Sequence, residues 1–461
     1  MIKKIKKILK KIFPSWLINW YHYFLVFLAA VYYGFPSRKL IIIGITGTKG
    51  KTTVAELLNA FLESFGKKTA MINSLRFKID NQSWVNDSKM TMPGRFFIQR
   101  FLWQALNRGC YYVILEATSE GLKQFRHKFI NFDVAVFLNL QPEHLEAHNN
   151  SMDAYCSAKE KLFAAIEKPH KNIPLNHQIG KIDCYTKKKM IVNIDDEYSE
   201  RFLKYRADEK IGFAIEKDKK EGINVLFKPT SYQLSTEGID FVLNNEKFHS
   251  PLKGKFNLYN LLAAIATASA LEVPLKLIQH SVANFCGVPG RFEEITEGQD
   301  FKLIIDFAHT PDSLKAVYET LRNLFLTQAD NKLICILSAT GGGRDKWKRP
   351  VMGEVAAQYC DEIIITDEDP YDEDPKKIML DIAKGIEKKN KKFQIIEDRR
   401  QAIAEGLKLC KKNDCLIITG KGAEQVMVIK NEKKIPWDDR RVVREELKKI
   451  INVAKEKSET I

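Results

Sequence analysis

The stretch Gly44-Ile-Thr-Gly47-Thr-Lys-Gly50-Lys51-Thr52-Thr53 constrains this chain more than any other. It joins an apolar run, Leu40-Ile-Ile-Ile43, to a segment with helical spacing, Val54 to Phe61. The run reads as a buried parallel strand. A glycine-rich turn between strand and helix turns backbone N–H groups inward at a partially positive helix N-terminus, where phosphates can sit. A lysine at the end of such a turn, here Lys51, reaches the outer phosphates, and the Thr52 hydroxyl is placed to meet a magnesium ion. A strict G-x-x-x-x-G-K-[ST] loop would have glycine at position 45, where this chain has Ile45. Glycines 44, 47 and 50 still permit the tight turn. The plainer alternative is an ordinary strand-to-helix turn.

The rest of the chain is long enough for two or three domains: 461 residues, 45% hydrophobic and 28% charged. The net charge of +15 is uneven, because six lysines fall in the first eleven residues (Lys3, Lys4, Lys6, Lys7, Lys10, Lys11). Removing them leaves about +9, a moderately basic surface. No zinc-finger spacing or aromatic RNA-binding signature accompanies the charge, so no nucleic-acid partner is expected. An anionic small substrate or an anionic membrane accounts for it equally well. The eight cysteines are scattered with no C-x-x-C pair. That argues for a reducing, cytoplasmic setting and against a disulfide framework or a cysteine zinc site.

Residues 1–12 are lysine-rich with apolar residues at helical spacing, and residues 16–35 are apolar and aromatic. Three readings stay open for residues 1–36: an anchor lying on the inner face of the membrane, a helix packed on the protein's own body, and a spanning helix. From 40 to about 140, strands expected at 40–45, 68–73, 111–116 and 133–139 alternate with helices at 52–65 and 95–108, a parallel-sheet pattern. A helix is expected at 153–167 and another at 257–272. The run Lys187-Lys-Lys189 reads as a solvated loop. A boundary follows near Gly287-Val-Pro-Gly290. Strands at 302–306, 332–337, 362–366, 393–396 and 415–419 then make a second α/β unit. The expected fold is α/β: an N-terminal helical segment (1–39), a central P-loop ATPase domain with a mostly parallel sheet (40–286), and a C-terminal Rossmann-like α/β domain (287–461).

Ligands in open α/β sheets bind outside the carboxyl ends of the strands. Glu116 ends the run Tyr111–Leu115, so it either faces the loop and takes magnesium through oxygen or caps a helix. His144, in Asn139-Leu-Gln-Pro-Glu-His144, follows a neighbouring strand, as a metal ligand, an acid/base group or a structural histidine. Lys159 lies fifteen residues on and reads on its own as a solvent-facing helical lysine. Asp306-Phe-Ala-His309-Thr-Pro311 closes a strand and opens a helix, and Asp306 could hold a ribose hydroxyl. Ala339-Thr-Gly-Gly-Gly-Arg344-Asp-Lys346 is a second glycine-rich turn suited to an oxyanion, or a plain loop.

Together these segments resemble the Mur ligase family, over residues 40 to about 450 and in the family's order. The motifs are Gly47-Thr-Lys-Gly-Lys-Thr52, Glu116-Ala-Thr-Ser119, Asn139 to His144, Ala158-Lys159, Gly254 to Asn260, Gly290-Arg291, Asp306 to Pro311, Gly341 to Lys346, Asp367 to Pro370 and Gly420-Lys421-Gly422. The resemblance implies an ATP-dependent, ADP-forming ligase. The γ-phosphoryl group passes to a substrate carboxylate, an amine attacks the acyl phosphate, and phosphate leaves as an amide forms. It implies nucleotide contacts from Gly47, Thr48, Lys49, Gly50, Lys51, Thr52, Thr53, Asn260 (adenine), Arg291, Asp306 (ribose), His309 and Lys346. It implies Mg2+ held by Thr52, Glu116, His144 and Lys159, the last carbamylated by CO2, and a catalytic set of Lys51, Lys159, His144 and Glu116. Substrate contacts would come from Thr91, Ser119, Arg344, Asp367, Asp369, Tyr371, Gly420 and Glu424. The implied partners are a UDP-muramoyl-dipeptide-like acceptor and a free amino acid.

Departures from the family pattern shape the expectation. Diaminopimelate-adding members carry Asp-Asn-Pro-Arg, whose arginine clamps the distal carboxylate. Here the order is Glu368-Asp369-Pro370-Tyr371. An ammonium-bearing side chain such as lysine is therefore expected, seated by the acidic run Asp367 to Asp374. Only about 39 residues precede the strand that leads into the loop in this sequence, so the usual uridine-binding domain is expected to be missing. The alternatives are a related ligase, such as a folylpolyglutamate synthetase-like or poly-amino-acid enzyme, and a non-catalytic nucleotide-binding scaffold at the membrane.

Overall fold

The computed structural model describes residues 14–459 apart from 168–171, 174–183, 186, 219, 327 and 329. The lysine-rich residues 1–12 lie outside the described residues.

Helix α1, Ser15–Tyr32, comes first. It lies on the body, with Val26, Ala29 and Ala30 fully buried and the Tyr23 and Phe27 rings 5.1 and 5.4 Å from that of Phe129. No helix among the described residues is long and apolar enough to cross a membrane, so the spanning reading of 16–35 is overturned.

The first unit is built on a nine-stranded sheet. Its middle is β1, Ile41–Thr46, flanked in parallel by β5, Tyr112–Glu116, and β6, Val134–Phe137. One side continues through β2 (Thr69–Ile72), β3 (Arg76–Ile79) and β4 (Gln82–Val85), the last two antiparallel. The other side continues through Lys189–Asn193, Glu209–Phe213 and Val225–Phe227. Successive residues of β1 point to opposite faces and feed separate cores. Ile43 and Ile45 pack beneath helix α2, Lys51–Ser64, and the helix Lys255–Ala270, while Ile42 joins helix α3, Arg95–Asn107, and helix α5, Met152–Ala164. The short helix α4, Ser119–Lys123, follows β5 and is capped by the Thr118 side chain. Burial on both faces explains why β1 reads as an uninterrupted apolar run.

The second unit carries a six-stranded sheet in the order Glu293–Glu294, Lys302–Ile305, Cys415–Ile418, Leu333–Leu337, Glu362–Ile365, Gln394–Ile395. All pairings are parallel except the first. The alternating pattern expected after residue 301 is therefore present.

Three local expectations change. Gly44 belongs to β1 rather than to the turn, and a Cβ there would lie 2.6 Å from Leu162 Cδ1, so its role is close packing of α5 on the strand. The run at 187–189 is not a solvated loop. Lys189 opens a strand, and buried Lys188 donates to Phe132 O at 2.6 Å and pairs with Asp133 at 3.1 Å. Cys335 and Cys360 form a disulfide with Cα atoms 6.0 Å apart. Cys335 lies in the strand Leu333–Leu337, and Cys360 stands just before the neighbouring strand Glu362–Ile365, a proximity that sequence spacing does not reveal.

Candidate active site

A cleft of about 1340 Å³ opens between the two units. Its floor is the turn from β1 into α2. Gly50 sits at φ +85°, and a Cβ there would come 2.2 Å from Asn260 Oδ1, so glycine is required where loop and helix Lys255–Ala270 meet. Asn139 Oδ1 accepts from the backbone N–H groups of Thr48 (3.1 Å) and Lys49 (2.8 Å), which fixes the loop's curvature. Lys51 folds back on that curve and donates to the carbonyls of Gly47 and Thr48, each at 2.9 Å. Burial pushes its pKa down, against the pull of Glu116 and Glu143.

Glu116 ends β5 beside this lysine, almost completely buried. Burial raises its pKa, while Lys51 and the Ser74 N–H (3.3 Å) oppose the rise. Thr52 Oγ1 lies 2.9 Å from Ser74 Oγ. Lys159 is buried in α5 rather than solvent-facing, with Nζ 2.8 Å from the Gly47 carbonyl. Burial, and then neighbouring Lys51, hold its pKa well below the usual lysine range. His144 stands just past β6 at φ +57°, held by its backbone N–H donating to Asp345 Oδ2 of the second unit at 2.5 Å. Burial lowers its pKa, so the ring presents a neutral nitrogen.

Arg291 is half-buried over the Phe307 ring, 4.1 Å from its centroid, with Nη2 3.4 Å from Ser74 Oγ. Asp306 accepts from the backbone N–H groups of Phe292 (2.7 Å) and Ala308 (2.6 Å), and burial raises its pKa. His309, Asn260, Thr53, Thr91, Ser119, Arg344, Asp369, Tyr371 and Glu424 also line the cleft.

Three expected residues stand elsewhere. Lys346 turns outward, half-exposed, 3.5 Å from Glu373. Asp367 lies behind the wall, where its Oδ1 accepts from the Glu368 N–H at 2.8 Å and burial pushes its pKa up to about 6. Gly420 serves packing: at φ +106°, a Cβ would lie 2.4 Å from Ser338 Oγ.

Other residues at the site were not singled out from the sequence. Glu143, 5% exposed, pairs with Lys49 and meets His309 Nε2, both at 2.9 Å. Burial alone would raise its pKa, but Lys49, His144 and His309 together hold it well below the carboxylate range. Its place beside His144 was the one available signal. Arg126 lines the cleft beside Met92, and Lys348, close to Glu143, is pushed down by burial to about 8. Lys89 reaches across the cleft to Asp369 Oδ2 (2.9 Å) and Glu424 Oε2 (2.6 Å). Lys421, fully buried, pairs with the same two carboxylates at 2.9 and 2.8 Å. The acidic wall expected to seat a substrate ammonium is thus neutralised by two of the chain's own lysines.

Among the described residues no three His, Cys, Asp or Glu side chains cluster as a metal site. The donors at hand are the Thr52 hydroxyl, the Glu116 carboxylate and the His144 ring, with the Lys159 amine beside the loop. The hydroxyl and carboxylate oxygens among them suit magnesium, because a hard cation seeks oxygen donors.

Comparison with known proteins agrees with this arrangement. The Mur ligase middle domain matches residues 45–268, and the Mur ligase glutamate ligase domain matches residues 290–422. The UDP-N-acetylmuramoyl-L-alanyl-D-glutamate–2,6-diaminopimelate ligase of Syntrophomonas wolfei is 35% identical over 429 residues, 92% of this chain and 81% of the relative. The enzyme of the same name from Aquifex aeolicus is 37% identical over 415 residues, 90% of this chain and 79% of the relative. A solved structure of a ligase with that name superposes with TM-score 0.57 at 26% identity, covering 89% of this chain and 78% of that one. A Mycobacterium tuberculosis folylpolyglutamate synthase bound to ADP shares the fold, with TM-score 0.64 at 17% identity over 86% and 91% of the two chains. The chain belongs to the Mur ligase family of ATP-dependent, ADP-forming amide ligases.

Proposed function

We propose that the chain joins an amino acid to a UDP-N-acetylmuramoyl-L-alanyl-D-glutamate-like acceptor, in the synthesis of peptidoglycan precursors in the cytoplasm. One observation carries the reading: Lys51, Glu116 and His144 of the first unit share a cleft with Arg344, Asp369 and Glu424 of the second. The first group suits phosphoryl transfer and the second suits an amino acid. The names of the relatives point to the same acceptor.

Each residue then has a definite task. Lys51 leaves the Gly47 and Thr48 carbonyls and compensates charge on the phosphoryl oxygens as it develops. Asn260 borders the base, Asp306 keeps lone pairs for ribose hydroxyls, and Arg291 faces the phosphates. Lys159, as a neutral amine, adds to CO2: an N–C bond forms, a proton leaves nitrogen, and a carbamate results. Thr52, Glu116, His144 and the carbamate would hold magnesium, which supplies Lewis-acid compensation of phosphate charge. His144 and Asp345 tie the two units across the cleft, which excludes water from the acyl phosphate.

The amino acid is proposed to carry an ammonium side chain without a distal carboxylate. Tyr371 stands where the diaminopimelate-adding pattern has arginine. Its ring packs on Gly342, where a Cβ would lie 2.9 Å away. A substrate ammonium would replace that of Lys89 between Asp369 and Glu424. The test is phosphate release from ATP and magnesium with UDP-muramoyl-dipeptide and either L-lysine or diaminopimelate. Release that needs both co-substrates and favours lysine supports the reading. Preference for diaminopimelate overturns the amino-acid assignment, and indifference to the acceptor overturns the function.

A further inference from the structure

The outer side of α1 has no function in the ligase site. Trp16, Trp20, Phe24, Leu28 and Val31 recur every three or four residues and fall on one helical face, opposite buried Val26, Ala29 and Ala30. Trp16 is 68% exposed and Trp20 59%, and the Trp20 and Phe24 rings stack at 5.2 Å. The face does not end with the helix. Tyr33, just past it, meets Trp103 of α3 at 6.2 Å, and α3 also exposes Phe97. Exposed aromatic side chains grouped in this way mark an interaction site.

Neither α1 nor α3 carries an acidic side chain. Residues 1–55 contain no aspartate or glutamate, and neither do residues 88–115, which include all of α3. Arg38 and Lys39 are exposed beyond the C-terminal end of α1, and Arg100 and Arg108 are exposed along α3. The six lysines of residues 1–11 precede the N-terminal end. Aromatic and aliphatic side chains flanked by cations, with no anion among them, complement the boundary between acyl chains and anionic headgroups. At 1.5 Å per residue, α1 is roughly 27 Å long, so it can lie flat along such a boundary.

We infer that the α1–α3 face docks on an anionic lipid bilayer, with α1 in the interfacial plane and the rest of the chain outside it. The docked face is also linked to the cleft. His22 of α1 contacts Arg95, whose Nη2 donates to the Gln124 carbonyl at 3.4 Å. Arg95 opens α3 just beyond cleft residues Thr91 and Met92. Lipid binding therefore fixes the orientation of that cleft wall relative to the surface. The inference does not rest on the ligase assignment, and the two fail separately.

The test uses the full chain in sedimentation with vesicles of phosphatidylcholine containing phosphatidylglycerol, against vesicles of phosphatidylcholine alone. The expected result is sedimentation with the anionic vesicles only, reversed by raising salt from about 0.1 M to about 1 M. Trp20→Glu combined with Phe24→Glu should weaken the partitioning by about tenfold or more, with the thermal midpoint unchanged. Arg38→Glu combined with Arg100→Glu, at exposed positions, should weaken it as well, and serves if the first variant misfolds. Equal sedimentation with neutral vesicles, or variants that bind like the parent, would overturn the inference. So would a dimer in light scattering that Trp20→Glu with Phe24→Glu dissolves while vesicles have no effect, because the face would then join two copies of the chain.

Discussion

The two walls of the cleft handle buried charge in opposite ways. On the nucleotide wall, Glu116 and Lys159 are buried and Lys51 is half-buried, with no salt bridge among the described residues; both lysines donate to loop carbonyls. Burial moves all three pKa values toward the neutral form. On the amino-acid wall, Asp369 and Glu424 each meet both Lys89 and Lys421, and both carboxylates are held below their usual range despite burial. The first wall is electrostatically incomplete and calls for anionic phosphate and a cation. The second is complete without a ligand, so a substrate must exchange with something already there. Buried charge without a partner is costly, and a protein retains it where a ligand will complete it.

Removing charge from the incomplete wall should therefore cost chemistry and little stability. Lys51→Met and, separately, Lys159→Ala should each lower kcat about 10² to 10³-fold. Their unfolding midpoints in urea should equal or exceed that of the parent, because each change removes a desolvated amine. Steady-state phosphate release alongside urea titration checks both halves. A large loss of stability in either variant would erase the contrast between the walls.

The complete wall should respond in the reverse sense. Lys421→Met leaves Asp369 and Glu424 with one cation between them, and breaking a buried pair costs about 3 kcal/mol of stability. The loss should appear in urea unfolding without nucleotide, and ATP binding by the remaining folded protein should be unchanged.

The difference between the walls also explains what could be read from the sequence. The loop from β1 into α2, Glu116 at the end of β5 and His144 after β6 are local features, each defined by a strand end and the residues beside it. Glu143 meets His309, 166 residues away, and Lys89 meets Asp369, 280 residues away. Such contacts form when two units close on each other, and no local pattern encodes them. Lys159 read alone as a surface lysine because the helical period gives a face but not what lies against it. The same limit applied to Lys188, which reads as part of a basic run until Asp133 is seen beneath it. Most strand and helix positions were legible because alternation and apolar runs are local. The β3–β4 hairpin was not, since its outer strand Gln82–Val85 is exposed and carries no buried run.

A smaller effect tests whether burial governs the lysines near the cleft. Lys348 is pushed down to about 8 from an ordinary 10.5. Between those values the unfolded chain binds a proton that the folded chain has released, so stability rises with pH across that window and levels off above it. The rise from this residue should be at most about 3 kcal/mol, and Lys348→Met should remove it. Urea unfolding of parent and variant at several pH values across the window measures the difference, in which the contributions of the other lysines cancel. A parallel pair of curves would show that Lys348 keeps its ordinary affinity for protons and that burial does not control it.

The smallest effect bears on the exchange that the complete wall requires. Lys89 belongs to the first unit, and its ammonium lies between two carboxylates of the second, Asp369 and Glu424. If an ammonium-bearing amino acid takes that seat, Lys89 competes with it. Lys89→Met then empties the seat and lowers the amino acid's KM about three- to tenfold, roughly 1 kcal/mol, with little change in kcat. If Lys89 instead latches the units together, the same variant raises the KM values of both co-substrates and lowers kcat, because closure itself is impaired. Varying L-lysine at saturating ATP, and then ATP at saturating L-lysine, separates these outcomes. A fall in the amino-acid KM alone identifies the ammonium of Lys89 as the stand-in for that of the substrate. It would also make the amino-acid wall incomplete in the same sense as the nucleotide wall, with its missing charge supplied by the chain until the substrate arrives.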